Sequence, residues 1–339
     1  MENKTEEINS GAGLENLPVQ SANPAFQPDE MVSCEKCERS NPPTRLKCLY
    51  CGEQLVISEA QAANIKPNFR KPENWEKGFN LIFLPNTKVV ENSKLAEIAS
   101  MVTMEAGFLE EIISSRNSLP LARLETKDEA EIVQKHLLNF GIETKVLNDA
   151  DLKIEKPVRR LRGMDFWDDK LVLILFNADE ISEIVWENLN LIVTGAIFER
   201  RVKATEERDK KGENKLLETN ETATDEILLD IYSRQDEIGY RIEQKGFDFS
   251  CLGAEKSLLA AENIRRLVKT LSARAKNVKV VDNYLQIRPL LADVWQVDER
   301  KNSQGMKRAR FGKFSLENIT TVNNLAQFTK YSRLQHHLL

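Results

Sequence analysis

Val32-Ser-Cys34-Glu-Lys-Cys37 and Lys47-Cys48-Leu-Tyr-Cys51-Gly52 place four cysteines in two C-x2-C pairs with ten residues between them. In each pair the two sulfurs sit on one tight turn and reach a single ion. Two such turns complete a tetrahedral four-thiolate shell with no open position for water or substrate. The spacing therefore predicts one structural zinc ion held by Cys34, Cys37, Cys48 and Cys51, and a module of about residues 31–56 that holds its shape by metal ligation and performs no chemistry.

Outward from this module the chain changes character. Residues 1–30 mix Asn, Glu, Ser, Gly and Pro with few large apolar residues, too few to offset the entropy of ordering, and read as a disordered tail. Residues 57–75, with Pro67, Pro72, Lys66, Arg70 and Lys71, read as a linker. The chain has 339 residues, is 41% hydrophobic and 30% charged, and carries a net charge of −5, enough apolar material for further cores. That charge is unlike the strongly basic balance of a dedicated nucleic-acid-binding domain. The longest apolar stretches, Leu171 to Phe176 and Leu189 to Phe198, are too short to span a bilayer, and the polar start at Met1 to Gly13 has no apolar signal region. With four of five cysteines in the pairs, no disulfide framework is implied, and the expected compartment is the reducing cytoplasm.

The cysteine module resembles the short zinc ribbons of bacterial proteins, whose pattern is two C-x2-C-G knuckles with an Asn-Pro between them. The matching residues are Cys34, Cys37, Asn41, Pro42, Cys48, Cys51, Gly52 and Leu55, and Glu38 stands where the first knuckle usually has glycine. The spacing is also similar to that of the Ran-binding-protein zinc fingers, some of which bind single-stranded RNA or ubiquitin.

Residues 76–152 alternate strand and helix periods. Phe79 to Leu84 is a strand candidate, and Leu95, Ile98, Ala99 and Val102, then Phe108, Leu109, Ile112 and Ile113, recur at helical spacing. A strand at Leu119 to Leu124 precedes Thr126-Lys-Asp-Glu129, a capping box that opens a helix closed by Gly141, and Ile142 to Leu147 is a last strand. This βααβαβ order resembles the C-terminal domain of the bacterial ribosomal stalk protein, in which a lysine-bearing helical surface recruits translation factors. The expected core is Leu81, Phe83, Ile98, Ile112, Leu121, Val133, Leu137 and Val146, and a fragment of these residues is expected to fold alone.

Residues 157–275 read as β-rich, with strands at Val158 to Phe166, Leu171 to Phe176, Leu189 to Thr194, Ile197 to Ala204, Ile227 to Tyr232, Gly239 to Glu243 and Phe247 to Leu252. The polar run Thr205 to Asp225 reads as a long mobile loop. A broad apolar stripe from Leu258 to Leu271 predicts a helix. Seven strands closed by one helix look like the pleckstrin-homology architecture, a fold-level analogy. Residues 276–339 form a C-terminal extension expected to dock back on the body. The fold class is therefore α+β and multi-domain: a zinc ribbon, a small βααβαβ domain and a β-rich domain closed by a helix.

No residue pattern points to an enzyme. Cys251 reads as a small buried hydrophobe on a strand with Phe247 and Phe249, and His136, His336 and His337 have no general-acid neighbour. Trp167, Trp186 and Trp295 read as packing residues, Trp75 packs or binds, and Asp168-Asp169 marks a turn. Arg300, Lys301, Lys307, Arg308, Arg310 and Lys313, interleaved with Phe311 and Phe314, form a basic run that is either a solvated linker or a surface for nucleic acid or an anionic membrane. The function expected is that of a non-enzymatic zinc-binding adaptor whose partners are other proteins. The alternative is a nucleic-acid-associated regulator using Arg45, Lys47 and the basic run. No small-molecule substrate is indicated.

Overall fold

The computed structural model describes residues 31–43, 45–56, 70–73, 75–85, 90–177, 180–208, 214–310 and 313–339. The chain divides into two compact units, Met1–Lys66 and Pro67–Leu339. The expected tail 1–30 and most of the linker lie outside the described residues.

In the first unit β1 (Val32–Ser33) pairs antiparallel with β2 (Ser40–Asn41), and a bridge joins Lys47 to Gln54. Its apolar cluster is Val32, Cys34, Cys48 and Leu55. So few side chains cannot by themselves offset the ordering entropy of the segment.

The second unit opens with the expected order: β3 (Phe79–Phe83), α1 (Asn92–Met101), α2 (Ala106–Ser115), β4 (Pro120–Leu124), α3 (Lys127–Asn139) and β5 (Thr144–Asn148). β3 is the central strand of an antiparallel three-stranded sheet, flanked by β4 and β5. The capping box is formed, with the Glu129 amide donating to Thr126 Oγ1 (3.3 Å) and the Thr126 amide to Glu129 Oε2 (3.1 Å). Gly141 closes the helix end at φ 82°. Leu81, Phe83, Ile98, Ile112, Leu121, Val133 and Leu137 are buried, while Val146 is partly so.

The chain then builds β6 (Arg159–Phe166), β7 (Lys170–Leu175), β8 (Ile181–Val185), β9 (Leu189–Arg208), β10 (Asn214–Ser233) and β11 (Tyr240–Glu243). α4 (Ala260–Arg274), β12 (Lys279–Val281), α5 (Tyr284–Leu291), β13 (Asp298–Arg310), β14 (Lys313–Asn323) and α6 (Leu325–His337) complete it. One curled sheet runs β13-β14-β9-β10-β11-β6-β7-β8, with β12 added parallel to β9.

The two strands expected at Leu189 to Thr194 and Ile197 to Ala204 are one, because Gly195 continues the ladder; a Cβ there would lie 2.3 Å from the Phe328 ring, so glycine serves close approach and not a break. Phe247 to Leu252 is not a strand: Phe249–Glu255 is a 3-10 helix, and β8 is an additional strand not among those expected. In Thr205 to Asp225 the described residues are paired strand, not loop. Polar Thr-rich sequence hid them, since neither face of that stretch needs an apolar residue.

Residues 276–339 dock back on the body as expected, and they do so as part of its main core. Trp295, Phe328, Tyr331 and Leu334 are fully buried in one cluster with Leu81, Leu121, Leu137, Leu191 and Val193. Trp295 Nε1 donates to Asn80 Oδ1 (2.8 Å), and Asn80 Nδ2 donates to Asp149 Oδ1 (2.8 Å), which in turn accepts from Arg123 Nε through its other oxygen (3.0 Å). The expected boundary at Asn148 to Lys156 is pinned by α6: Arg333 donates to the carbonyls of Leu152 (3.2 Å), Lys153 and Lys156 (2.7 Å). The βααβαβ segment, the sheet and the C-terminal elements share one core, which is why the contacts do not divide at residues 149–156.

The opposite face of the sheet carries Leu161, Leu173, Ile192, Leu229, Ile231, Tyr240 and Ile242 under Ile264, Leu267 and Leu271 of α4. Burial on both faces explains why Ile227-Leu-Leu-Asp-Ile-Tyr232 is apolar without alternation. Its one charge, Asp230, accepts two bonds of 2.7 Å from Arg241, whose Nη2 also reaches Thr329 Oγ1 (3.1 Å).

His336 stacks on Tyr232 (4.6 Å between centroids), and burial holds its imidazole below the usual value. A depressed folded-state value means that the neutral ring's contribution is complete above the unfolded pKa, about 6.5, and is lost as pH falls through the folded value. The melting temperature is therefore expected to drop as pH is lowered below about 6.5, and His336→Gln to shallow that slope.

Candidate metal centre

The first knuckle is a tight turn closed by the Cys34 amide on the Arg39 carbonyl (3.0 Å) and the Glu38 amide on the Cys34 carbonyl (2.8 Å). The second repeats it, with Cys48 N to Glu53 O (2.7 Å) and Gly52 N to Cys48 O (3.0 Å). Together they bring the Sγ atoms of Cys34, Cys37, Cys48 and Cys51 within 4.8 Å of one another. Cys34 and Cys51 sulfurs are 3.6 Å apart and Cys37 and Cys48 sulfurs 3.5 Å, well beyond a disulfide bond, and all four are free thiols. The four are positioned to bind one metal ion.

Asn41 explains why the pattern needs an asparagine between the knuckles. It is fully buried, donates from Nδ2 to the Arg39 carbonyl (2.8 Å) and to Cys48 Sγ (3.5 Å), and accepts at Oδ1 from the Leu49 amide (2.8 Å). One amide thus ties the first turn to the second and donates to a ligand sulfur.

The electrostatics are uneven. Desolvation works against ionising Cys48, but the amides of Tyr50 and Cys51 and the side chains of Cys37 and Asn41 donate to its sulfur and bring the thiol down to about 6. At Cys51 the Glu53 amide favours the thiolate, yet desolvation and the Cys37, Cys34 and Cys48 sulfurs outweigh it, pushing the thiol up to about 12. Crowded sulfurs cannot all ionise together unless a cation sits among them. Lys36 lies at the rim, 2.5 Å from Glu53, whose carboxylate raises the ammonium above its ordinary value.

Glu38 and Gly52 occupy equivalent turn positions, both with positive φ (58° and 73°). An L-residue pays about 1 kcal/mol or more for that conformation, whereas glycine pays little. Glu38→Gly is expected to stabilise the module by about 0.5–1 kcal/mol, read as slower metal loss to a competing chelator. Gly52→Ala is expected to act in the opposite direction.

The remaining candidates are scattered. Arg45 and Lys47 are exposed between the knuckles. Arg300, Lys301, Lys307, Arg308 and Arg310 lie along β13, Lys313 begins β14, and Phe311 is outside the described residues. Cys251 is half-buried in the 3-10 helix, and burial pushes its thiol up to about 11, opposite to what a nucleophile needs. Phe247 and Phe249 pack edge to face at 4.9 Å beside it. His136 is half-buried in the last turn of α3, and His336 and His337 end α6. Trp186 and Trp295 are buried as expected, but Trp167 is 53% exposed, with Lys170 Nζ 4.7 Å above its ring. Trp75, 82% exposed, lines a cleft of about 310 Å³ with Arg123, Asp149 and Lys330. Asp168-Asp169 forms the turn between β6 and β7, closed by Trp167 N to Lys170 O (3.0 Å).

No protein-family model, no curated protein and no solved structure matches this chain. What stands is a mixed α+β protein with a large curled sheet and a separate four-cysteine module positioned for a metal ion. No helix among its described residues is long and apolar enough to cross a membrane.

Proposed function

We propose that the four cysteines hold one structural zinc ion and that the chain is a non-enzymatic adaptor, presenting surfaces to other proteins. The observation that carries the zinc assignment is the sulfur quartet: Zn–S bonds of about 2.3 Å at tetrahedral angles put sulfurs about 3.8 Å apart, and two cross-knuckle pairs lie at 3.6 and 3.5 Å. An all-sulfur tetrahedral set suits zinc and leaves no position for water or substrate. When bound, the ion supplies cross-linking of two turns; the chain's own residues orient the sulfurs and donate to them. The ribbon likeness of Cys34 to Leu55, the stalk-like order of β3 to β5 and the packing of α4 on the sheet, which resembles a pleckstrin-homology closing helix, support the adaptor reading. The pairing of β14 and β12 with β9 departs from that last likeness.

A nucleic-acid-associated regulator is the second reading, favoured by the basic residues collected on β13. Binding of a single-stranded oligonucleotide that weakens by about 0.7 log units per log unit of salt for each phosphate contacted would select it. Salt-insensitive capture of a defined protein partner, with one zinc per chain by elemental analysis, supports the adaptor. Absence of stoichiometric zinc would overturn the metal assignment.

A further inference from the structure

Residues 199–208 of β9, 214–226 of β10, 298–310 of β13 and 313–323 of β14 form a four-stranded sheet in the order β13-β14-β9-β10. Among its described side chains only Ile319 is buried. This extension thus has no core of its own, and its ladder is supplemented by exposed pairs such as Arg200–Glu221 (2.6 Å) and Lys203–Glu317 (3.2 Å). Both of its outer edges are open among the described residues: β11 takes only Leu228 to Ile231 of β10, and β13 ends the sheet. Unpaired edges are templates for another strand.

The two edges are opposite in charge. Residues 214–226 of β10 carry Glu218, Glu221, Asp225 and Glu226 against Lys215, while residues 298–310 of β13 carry Arg300, Lys301, Lys307, Arg308 and Arg310 against Asp298 and Glu299, the last paired with Lys301 (2.9 Å). β10 and β14 both run against β9, and β13 runs against β14, so β13 is antiparallel to β10. A second copy set beside the first in the same sense therefore offers its β13 as an antiparallel partner to β10. The ladder places Glu221, Val202, Thr320 and Lys301 at one level, and Leu216, Glu206, Leu316 and Met306 at another. Level juxtaposition sets Glu221 opposite Lys301 and Leu216, which is 59% exposed, at the position opposite Met306. Opposite charges and apolar pairs directly across strands are the stabilising combinations.

We propose that this extension joins copies of the chain head to tail, the basic β13 edge of one adding to the acidic β10 edge of the next. The two surfaces differ, so the contact is heterologous and yields a ring or an open chain of copies. This goes beyond the adaptor reading and does not depend on the metal.

Sedimentation velocity of the full chain tests it. The expected result is association at low salt that recedes as salt screens the edges. Glu218→Lys with Glu221→Lys, and separately Arg300→Glu with Lys301→Glu, should each set like charges across the contact and lower the association constant about tenfold or more. An equal mixture of the two should associate again, which also shows that both variants are folded. A wild-type chain that stays monomeric at low salt, or variants that associate like wild type, would overturn the proposal. So would a monomer that binds oligonucleotide through Arg300 and Lys301, which would assign the basic edge to nucleic acid.

Discussion

Stripping the metal from the purified protein with a strong chelator is expected to unfold residues 31–56 and leave residues 70–339 folded. Structural zinc in small fingers contributes on the order of 10 kcal/mol or more, because the site does not exist in the unfolded chain and binding energy is folding energy. Against that stands a cluster of Val32, Leu55 and two of the cysteines themselves. Cys48→Ser should act like the chelator, since it removes a ligand that also anchors Asn41 and the Tyr50 amide (3.4 Å). Amide NMR reads the result directly: dispersed resonances of 31–56 collapse while those of the second unit stay in place. A single melting transition involving the whole chain would contradict the division at residue 66.

Deleting α6, residues 325–339, is expected to abolish cooperative folding of the entire second unit. Phe328, Tyr331 and Leu334 are fully buried, and truncating large core side chains costs about 2–5 kcal/mol each. Their sum reaches the whole stability of a typical domain, about 5–15 kcal/mol. The deletion also removes Gln327, which donates to the Trp295 carbonyl (2.7 Å), and Arg333, which caps the carbonyls at residues 152–156. The single change Phe328→Ala should lower stability by about 3–5 kcal/mol in urea titration. A deletion variant with native near-ultraviolet dichroism would refute this account. By the same argument a fragment of residues 76–152, self-sufficient on its element pattern, is expected not to fold alone. It would lose Trp295 from Asn80 and α6 from its core.

Much of the local structure was legible because local chemistry dictates it. The C-x2-C spacing puts paired sulfurs on turns. Thr126 and Glu129 cap α3, and the helical spacing of Leu95, Ile98, Ala99 and Val102 marks a face that is buried. The edges of the large sheet were not legible. β8 offers only Ile184 to the core, too short a signal for a period, and the polar parts of β9 and β10 carry no apolar face, so their strand state comes from pairing with each other and with β14.

The sequence by itself determined the four-cysteine module, the order of elements from β3 to β5 and the apolar face of α4, since each follows from contacts within a few residues or from a period of one element. Only the tertiary structure decided how many bodies there are. That number depends on which apolar faces meet, and Trp295 reads as a packing residue without saying against what, while the helix that carries Phe328 and Leu334 is not among the elements the pattern predicts. Their burial in one cluster with Leu81, Leu121, Leu191 and Val193 joins the βααβαβ segment, the sheet and the C-terminal elements in a shared core. The reason is that hydrophobic burial is non-directional: a sequence shows that a face must be covered, and the fold alone selects what covers it.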